Sequence, residues 1–230
     1  MAVGSLALLG VTGSHAATGV ERVVIGTSVQ GRPIVALHRT AGDGANRVLV
    51  VGSMHGDEDA GKRVVARLRE AALPDGTDLW LVRTMNPDGD VVDRRTNARG
   101  VDLNRNFPRF WVLADRGTST YSGPRAASEP ETQALMRFVR AHDIRTTLIF
   151  HQPLHGVDSY RAKSMRLVRD LADRSGLPVR SFDCWGGCHG TFTDWHNDRT
   201  TGRAVTVELG RSPTSGMVDR VATAVLLAAR

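Results

Sequence analysis

The segment Arg47–Val51, RVLVV, constrains the fold of this chain more than any other. An unbroken apolar run of this length reads as a strand covered on both faces, so a sheet with one wet face is excluded. Similar runs recur at 79–84 (LWLVRT), 146–150 (TTLIF) and 204–209 (AVTVEL). Between them lie stretches with helical spacing. Residues 59–72 place Val64, Val65, Leu68 and Ala72 on one face, and 128–141 opens with Ser-Glu-Pro-Glu, an acidic helix start with proline in its first turn. Residues 161–175 and 213–229 read as two further helices, and 23–26 and 33–37 as a hairpin around Gln30-Gly31. The segment 90–130 is long, polar and without period. Alternating strands and helices predict an α/β class: a single-domain mixed β-sheet with helices on both faces. At 230 residues, 41% apolar and 23% charged, the chain suits one domain with a sizeable core and not a disordered or fibrous protein.

Residues 1–16 stand apart. They are apolar and uncharged, and Ser14-His15-Ala16 fits the small-x-small rule of a secretory cleavage site, although the usual positive start is missing. The expected organisation is a signal segment over 1–16 and a catalytic domain over 17–230, in a protein that is secreted, periplasmic or in the cell wall. After that segment no apolar run is long enough to span a membrane. Secretion bears on Cys184 and Cys188, the only cysteines: in an oxidising compartment they suit a short-loop disulfide, with two free thiols as the alternative. The net charge of +6 rests almost wholly on arginine, since Lys62 and Lys163 are the only lysines. It favours anionic partners such as wall polymers or carboxylate substrates. The arginines are scattered and not interleaved with aromatics, which argues against nucleic acid.

In sheets of this kind functional groups gather just past the carboxyl ends of strands. Four candidates fall there: His55-Gly56-Asp57-Glu58, Asn86-Pro87-Asp88-Gly89, His151 and Glu208. His55 and Glu58, three apart where a strand turns into a helix, can converge on one ion, and His151 brings a third ligand from another strand. Two histidines and a carboxylate with water in the fourth position make an open catalytic zinc site. Glu208, an acid inside an apolar strand, reads either as a general base for the zinc-bound water or as half of a buried ion pair. In Val101 to Phe107, VDLNRNF, a guanidinium beside an amide can hold a substrate carboxylate, or the segment is a solvated loop. Cys184, Cys188, His189 and His196 do not match a common zinc framework.

Taken in order, His55-Gly56-Asp57-Glu58, Asn86-Pro87-Asp88-Gly89, Arg95-x-Asn97, Gly100 to Phe107, Tyr121-Ser122-Gly123-Pro124, Ser128-Glu129-Pro130-Glu131-Thr132, His151 and Thr206-Val207-Glu208 resemble the zinc metallocarboxypeptidases of the carboxypeptidase A type. The branch most similar is the bacterial murein peptide amidases. The resemblance implies a zinc carboxypeptidase-like (phosphorylase/hydrolase-like) fold, one zinc ion on His55, Glu58 and His151, and hydrolysis of a peptide or amide bond beside a free carboxylate. It implies that Asp102 orients the His55 ring, that Arg95 stabilises the oxyanion, that Asn104 and Arg105 bind the terminal carboxylate and that Glu208 is the general base. The family's mobile tyrosine before Asp194-Trp195 is absent, which leaves Trp185 or His189 to cover the substrate. The implied substrate is a murein peptide cut at a γ-D-glutamyl-diaminopimelate bond by a monomer. The alternatives are a general secreted metallocarboxypeptidase, an aspartoacylase-like deacylase and a wall-binding pseudoenzyme.

Overall fold

A computed structural model describes residues 20–42, 44, 46–184 and 188–229. The expected signal segment 1–16 and Trp185 lie outside the described residues. The strands are β1 (Glu21–Thr27), β2 (Pro33–Ala41), β3 (Arg47–Val51), β4 (Thr77–Val82), β5 (Thr146–His151), β6 (Leu154–Asp158), β7 (Val179–Arg180) and β8 (Arg203–Gly210). The helices are α1 (Ala60–Glu70), α2 (Pro87–Val91), α3 (Pro130–Ala141), α4 (Met165–Ser175), α5 (Phe192–Arg199) and α6 (Ser215–Ala228), with a short 3-10 turn at Leu103–Arg105. One eight-stranded sheet runs β1-β2-β4-β3-β5-β8-β6-β7. Its centre, β4-β3-β5-β8, is parallel, the pairs β1–β2, β2–β4 and β8–β6 are antiparallel, and β7 joins β6 in parallel at the edge.

The central runs are apolar throughout because both faces are covered. Along β3, Val48 and Val50 pack on one layer with Val64, Leu68, Leu171 and Val221 of α1, α4 and α6. Leu49 and Val51 face the other layer, with Leu135 and Phe138 of α3 and Phe192 and Trp195 of α5. This is the period of two that a strand imposes. At the crossing of α1 over the sheet, a Cβ on Gly61 would collide with the Gly52 carbonyl and the Phe150 side chain.

Sequence expectation and structure differ in four places. The Asn86-Pro87-Asp88-Gly89 turn is the start of α2, with the Asn86 side chain accepting from Gly89 N–H at 2.9 Å. The helix expected from 161 starts at Met165, where Ser164 caps it through Leu167 N–H. Strand β6, LHGVD, and helix α5, FTDWHNDR, were not legible. The first has too few β-formers, and the second buries Phe192, Trp195 and His196 without a continuous apolar stripe.

His196 is fully buried between Thr147 and Thr200, its ring nitrogens 3.2 and 3.3 Å from their hydroxyls. Burial, with repulsion from Lys163, pushes its pKa down to about 4. A depressed histidine contributes stability that is present above its unfolded pKa near 6.5 and lost as pH falls toward 4. Urea unfolding at pH 7 and pH 4.5 should therefore show a loss of about 2 kcal/mol from this group alone. His196→Gln should remove that share of the pH slope, and an unchanged slope would contradict the assignment.

Candidate active site

The carboxyl ends of β3, β5 and β8 lie side by side, and His151 and Glu208 are direct register partners. The loop that leaves β3 carries His55 and Glu58 to the same edge. Its shape is held from three directions. Ser53 Oγ donates to the His55 carbonyl, and Gly56 N–H donates to Arg94 O at 3.1 Å. Lys62, buried on α1, donates to Gly56 O and to the carboxylates of Asp59 and Asp90. Gln152 ties the start of α1 to β8: its Oε1 accepts from Ala60 N–H at 2.8 Å, and its Nε2 donates to Gly210 O.

The metal-ligand candidates converge. His55 Nδ1 lies 2.8 Å from Glu58 Oε1, His151 Nδ1 lies 2.9 Å from Glu58 Oε2, and the two Nδ1 atoms are 3.2 Å apart. Among the described residues these three form the one group of histidines, cysteines and acids able to hold a metal ion, with ligand atoms within 4.8 Å of one another. Cys184 and Cys188 are paired in a disulfide with Cα atoms 5.1 Å apart, so they and His196 form no second metal site.

Asp102, fully buried, anchors the far side of the His55 ring. Its Oδ1 accepts from His55 Nε2 at 3.0 Å and from Asn104 N–H at 2.9 Å, and its Oδ2 takes Arg95 Nε and Nη2 at 3.1 and 2.8 Å. Burial works against the charges here and the ion pairs outweigh it. Asp102 is held far below the usual carboxylate range by His55 and Arg95, and Glu58 by His55 and His151. Burial disfavours charge on His55, but Asp102 and Glu58 raise it to about 9 against the opposing Arg95. Protons held by the ligands must leave before a metal can take their place.

The other expected residues distribute unevenly. Arg95 Nη1 reaches to 3.2 Å from His55 Nδ1, at the mouth of the triad. Asn104 lines the cleft, but its amide is engaged: Nδ2 lies 3.2 Å from His151 Nε2, and Oδ1 accepts from Phe192 N–H at 3.0 Å. Arg105 is half-buried and makes no ion pair among the described residues; it donates to Asn104 O and lies 3.7 Å from Cys184 Sγ. His189 lies away from the triad, on an adjoining cavity of about 650 Å3 that shares Arg105, Leu154, Phe182 and Cys184 with the cleft.

Glu208 lines the cleft at 9% exposure. Its Oε2 accepts from Leu154 N–H at 3.2 Å, and its Oε1 has no hydrogen-bond partner among the described residues. Burial raises its pKa, with Glu58 adding to the rise and His151 opposing it. Asp158 and Tyr160, which sequence reasoning missed, also line this cleft of about 250 Å3. Asp158 Oδ1 accepts from Tyr160 and Phe182 N–H at 2.8 and 3.1 Å, leaving Oδ2 without a hydrogen-bond partner among the described residues. Burial pushes Asp158 up to about 6, and Glu208 and Asp194 add to the rise. Its signal lies in the unrecognised β6, which ends at Asp158.

The sequence profile of the zinc carboxypeptidases matches residues 14–161, a span that includes His55, Glu58, Asp102 and His151. The chain belongs to the zinc carboxypeptidase family. Its relatives include murein peptide amidase A of Escherichia coli (strain K12), 30% identical over 166 residues, or 67% of each chain. Carboxypeptidase D of Mus musculus is 31% identical over 57% of this chain and 12% of its own length. Among solved structures, the murein-tripeptide amidase of Escherichia coli O157 superposes with a TM-score of 0.73 at 25% identity, covering 90% of this chain and 89% of that one. Carboxypeptidase A of Helicoverpa armigera gives 0.72 at 20% identity over 92% and 70%, a likeness of fold. This zinc carboxypeptidase is thus a hydrolase with the mixed sheet of its family. No described helix is long and apolar enough to cross a membrane.

Proposed function

We propose that the protein hydrolyses the amide bond between a γ-linked D-glutamyl residue and a diaminopimelate that carries a free carboxylate, outside the cytoplasm and at the cell wall. The observation that carries this reading is one cleft that joins the His55, Glu58, His151 triad to Glu208 and Arg105, and to the free oxygen of Asp158. The two relatives named as murein amidases support the substrate class. The Cys184–Cys188 disulfide supports an oxidising location.

Two imidazole nitrogens and a carboxylate oxygen, buried and mutually close, fit a catalytic zinc with room for a further ligand. Bound zinc supplies a Lewis acid for the scissile carbonyl and acidifies water. Asp102 fixes the His55 ring and its protonated nitrogen. Glu208, with Oε1 free and its pKa raised by burial, takes a proton from the attacking water and returns it to the leaving amine. Arg95, tethered by Asp102 at the mouth of the triad, faces the charge that develops on the carbonyl oxygen. Arg105 receives the free carboxylate of the leaving residue.

Asp158 and Asp194 supply the selector for the side chain of the leaving residue. Both line the cleft, and both keep one carboxylate oxygen without a hydrogen bond among the described residues. They suit a leaving residue with a side-chain ammonium, which diaminopimelate and lysine carry and norleucine does not. Asp158→Asn keeps an acceptor for the two N–H groups and removes the charge. It should reduce the preference for lysine over norleucine in the leaving position by about tenfold, measured as a kcat/KM ratio. An unchanged ratio would remove Asp158 as selector.

A further inference from the structure

A third cavity, of about 470 Å3, opens on the other flank of Arg95. Arg94, Arg95, Arg99 and Arg116 line it beside Thr118 and Tyr121, and no carboxylate does. Arg95 is the one lining residue it shares with the catalytic cleft. Two of these arginines have counter-charges: Arg95 is bound to Asp102, and Arg99 lies 3.6 Å from Glu129 Oε2. The other two lack them. The Arg94 guanidinium donates to a neutral carbonyl, Asn97 O, at 2.9 Å, and Arg116 has no hydrogen-bond or ion-pair partner among the described residues. Guanidinium groups that converge on a concavity repel one another unless an anion joins them, and their fork geometry matches a carboxylate.

The position of this basin relative to the substrate follows from the functional reading above, on which the inference rests. Arg105 and Asp158 take the leaving residue, and Arg95 lies at the scissile carbonyl. The acyl side of the substrate then leaves the cleft over Arg95, toward the basin. When glutamate is linked through its γ-carboxyl, its α-carboxylate stays free a few bonds upstream of the scissile carbonyl. An α-linked residue presents a carboxylate there only when its own side chain is acidic.

We propose that the Arg94, Arg99 and Arg116 basin is an anion subsite that binds the free α-carboxylate of the acyl-side glutamyl residue and thereby favours γ-D-glutamyl substrates over those whose acyl residue is neutral. The guanidinium of Arg95 couples the two cavities, so an anion seated in the basin also holds the scissile carbonyl against the triad.

The test compares L-alanyl-γ-D-glutamyl-diaminopimelate with its isoglutaminyl counterpart, in which the α-carboxylate is amidated, on the zinc-loaded wild type and on the double variant Arg94→Gln, Arg116→Gln. Neither side chain makes an ion pair among the described residues, and both residues are exposed, so the fold should tolerate the change. The wild type is expected to show a KM about tenfold lower for the acid than for the amide, an advantage that shrinks at high salt. The double variant should bring that ratio close to one. A wild type that treats the two alike, or a variant that keeps the ratio, overturns the subsite.

Binding of the acyl fragments L-alanyl-D-glutamate and L-alanyl-D-isoglutamine, followed by NMR shift changes, gives a readout without turnover. If neither substrate is cleaved but the acid fragment still binds more tightly, with that preference lost in the variant, the murein reading fails and the anion subsite stands. Equal binding of the two fragments rejects the subsite whatever the substrate proves to be.

Discussion

Glu208→Gln is expected to lower kcat by about 10³-fold while the protein keeps its zinc. The substitution preserves shape and leaves an acceptor for Leu154 N–H, the one hydrogen bond the carboxylate makes among the described residues. What it removes is the basic Oε1, which opens on the cleft beside the triad. Glu208 belongs to the same cleft as His55, Glu58 and His151 but stands apart from the group that holds the metal. Zinc content and activity should therefore separate. The raised pKa of Glu208 points the same way, because a carboxyl group that titrates closer to neutrality can both accept the proton of the attacking water and return it to the amine. Near-normal kcat in the zinc-loaded variant would transfer the role of base to another group. Loss of zinc would place Glu208 among the ligands.

His151→Ala should abolish stable zinc binding. The ring provides one of three ligand atoms, and its removal leaves a single imidazole and a single carboxylate on the metal, too few for a tight site of this kind. It also strips Glu58 Oε2 and Asn104 Nδ2 of their partner at 2.9 and 3.2 Å, a loss of about 1–3 kcal/mol for buried groups left unsatisfied. A gentler control is Asp102→Asn, which keeps all three ligands but weakens the orientation of His55. It should cost about 10–100-fold in metal affinity. Metal content after dialysis, read with circular dichroism to confirm folding, checks both. A folded His151→Ala protein that retains one zinc per chain would refute the ligand assignment.

The parts of this site that were legible in the sequence are those attached to strong strands. RVLVV, TTLIF and AVTVEL declare themselves because a buried parallel strand must be apolar on both faces. His55, His151 and Glu208 could then be placed at their carboxyl ends, where the sheet order β3-β5-β8 brings them together. Asp158 and Tyr160 escaped because β6 reads LHGVD, with an exposed Leu154 and a glycine, and nothing in so weak a run marks it as a strand beside β8. Thr193 and Asp194, which also line the cleft, sit on α5, whose buried faces follow no simple stripe. The arginine basin is illegible for a different reason. Arg94, Arg95 and Arg99 are close in the chain, but Arg116 comes from the far end of an aperiodic loop, and only the folded path of residues 90–130 sets them around one cavity. Asn104 shows the limit of reading roles from sequence: its place in the cleft was foreseen, and its engagement with the His151 ring was not.

The central claim is metal-dependent hydrolysis next to a free carboxylate in a murein peptide. The most direct measurement is cleavage of L-alanyl-γ-D-glutamyl-meso-diaminopimelate by purified protein before chelation, after chelation and after zinc is restored, beside a panel of ordinary C-terminal dipeptides. Release of diaminopimelate is expected to disappear with the chelator and return with zinc, with little turnover of the panel. Release that persists in the chelated protein would contradict the metal chemistry, and zinc-dependent cleavage of the ordinary dipeptides alone would contradict the murein substrate.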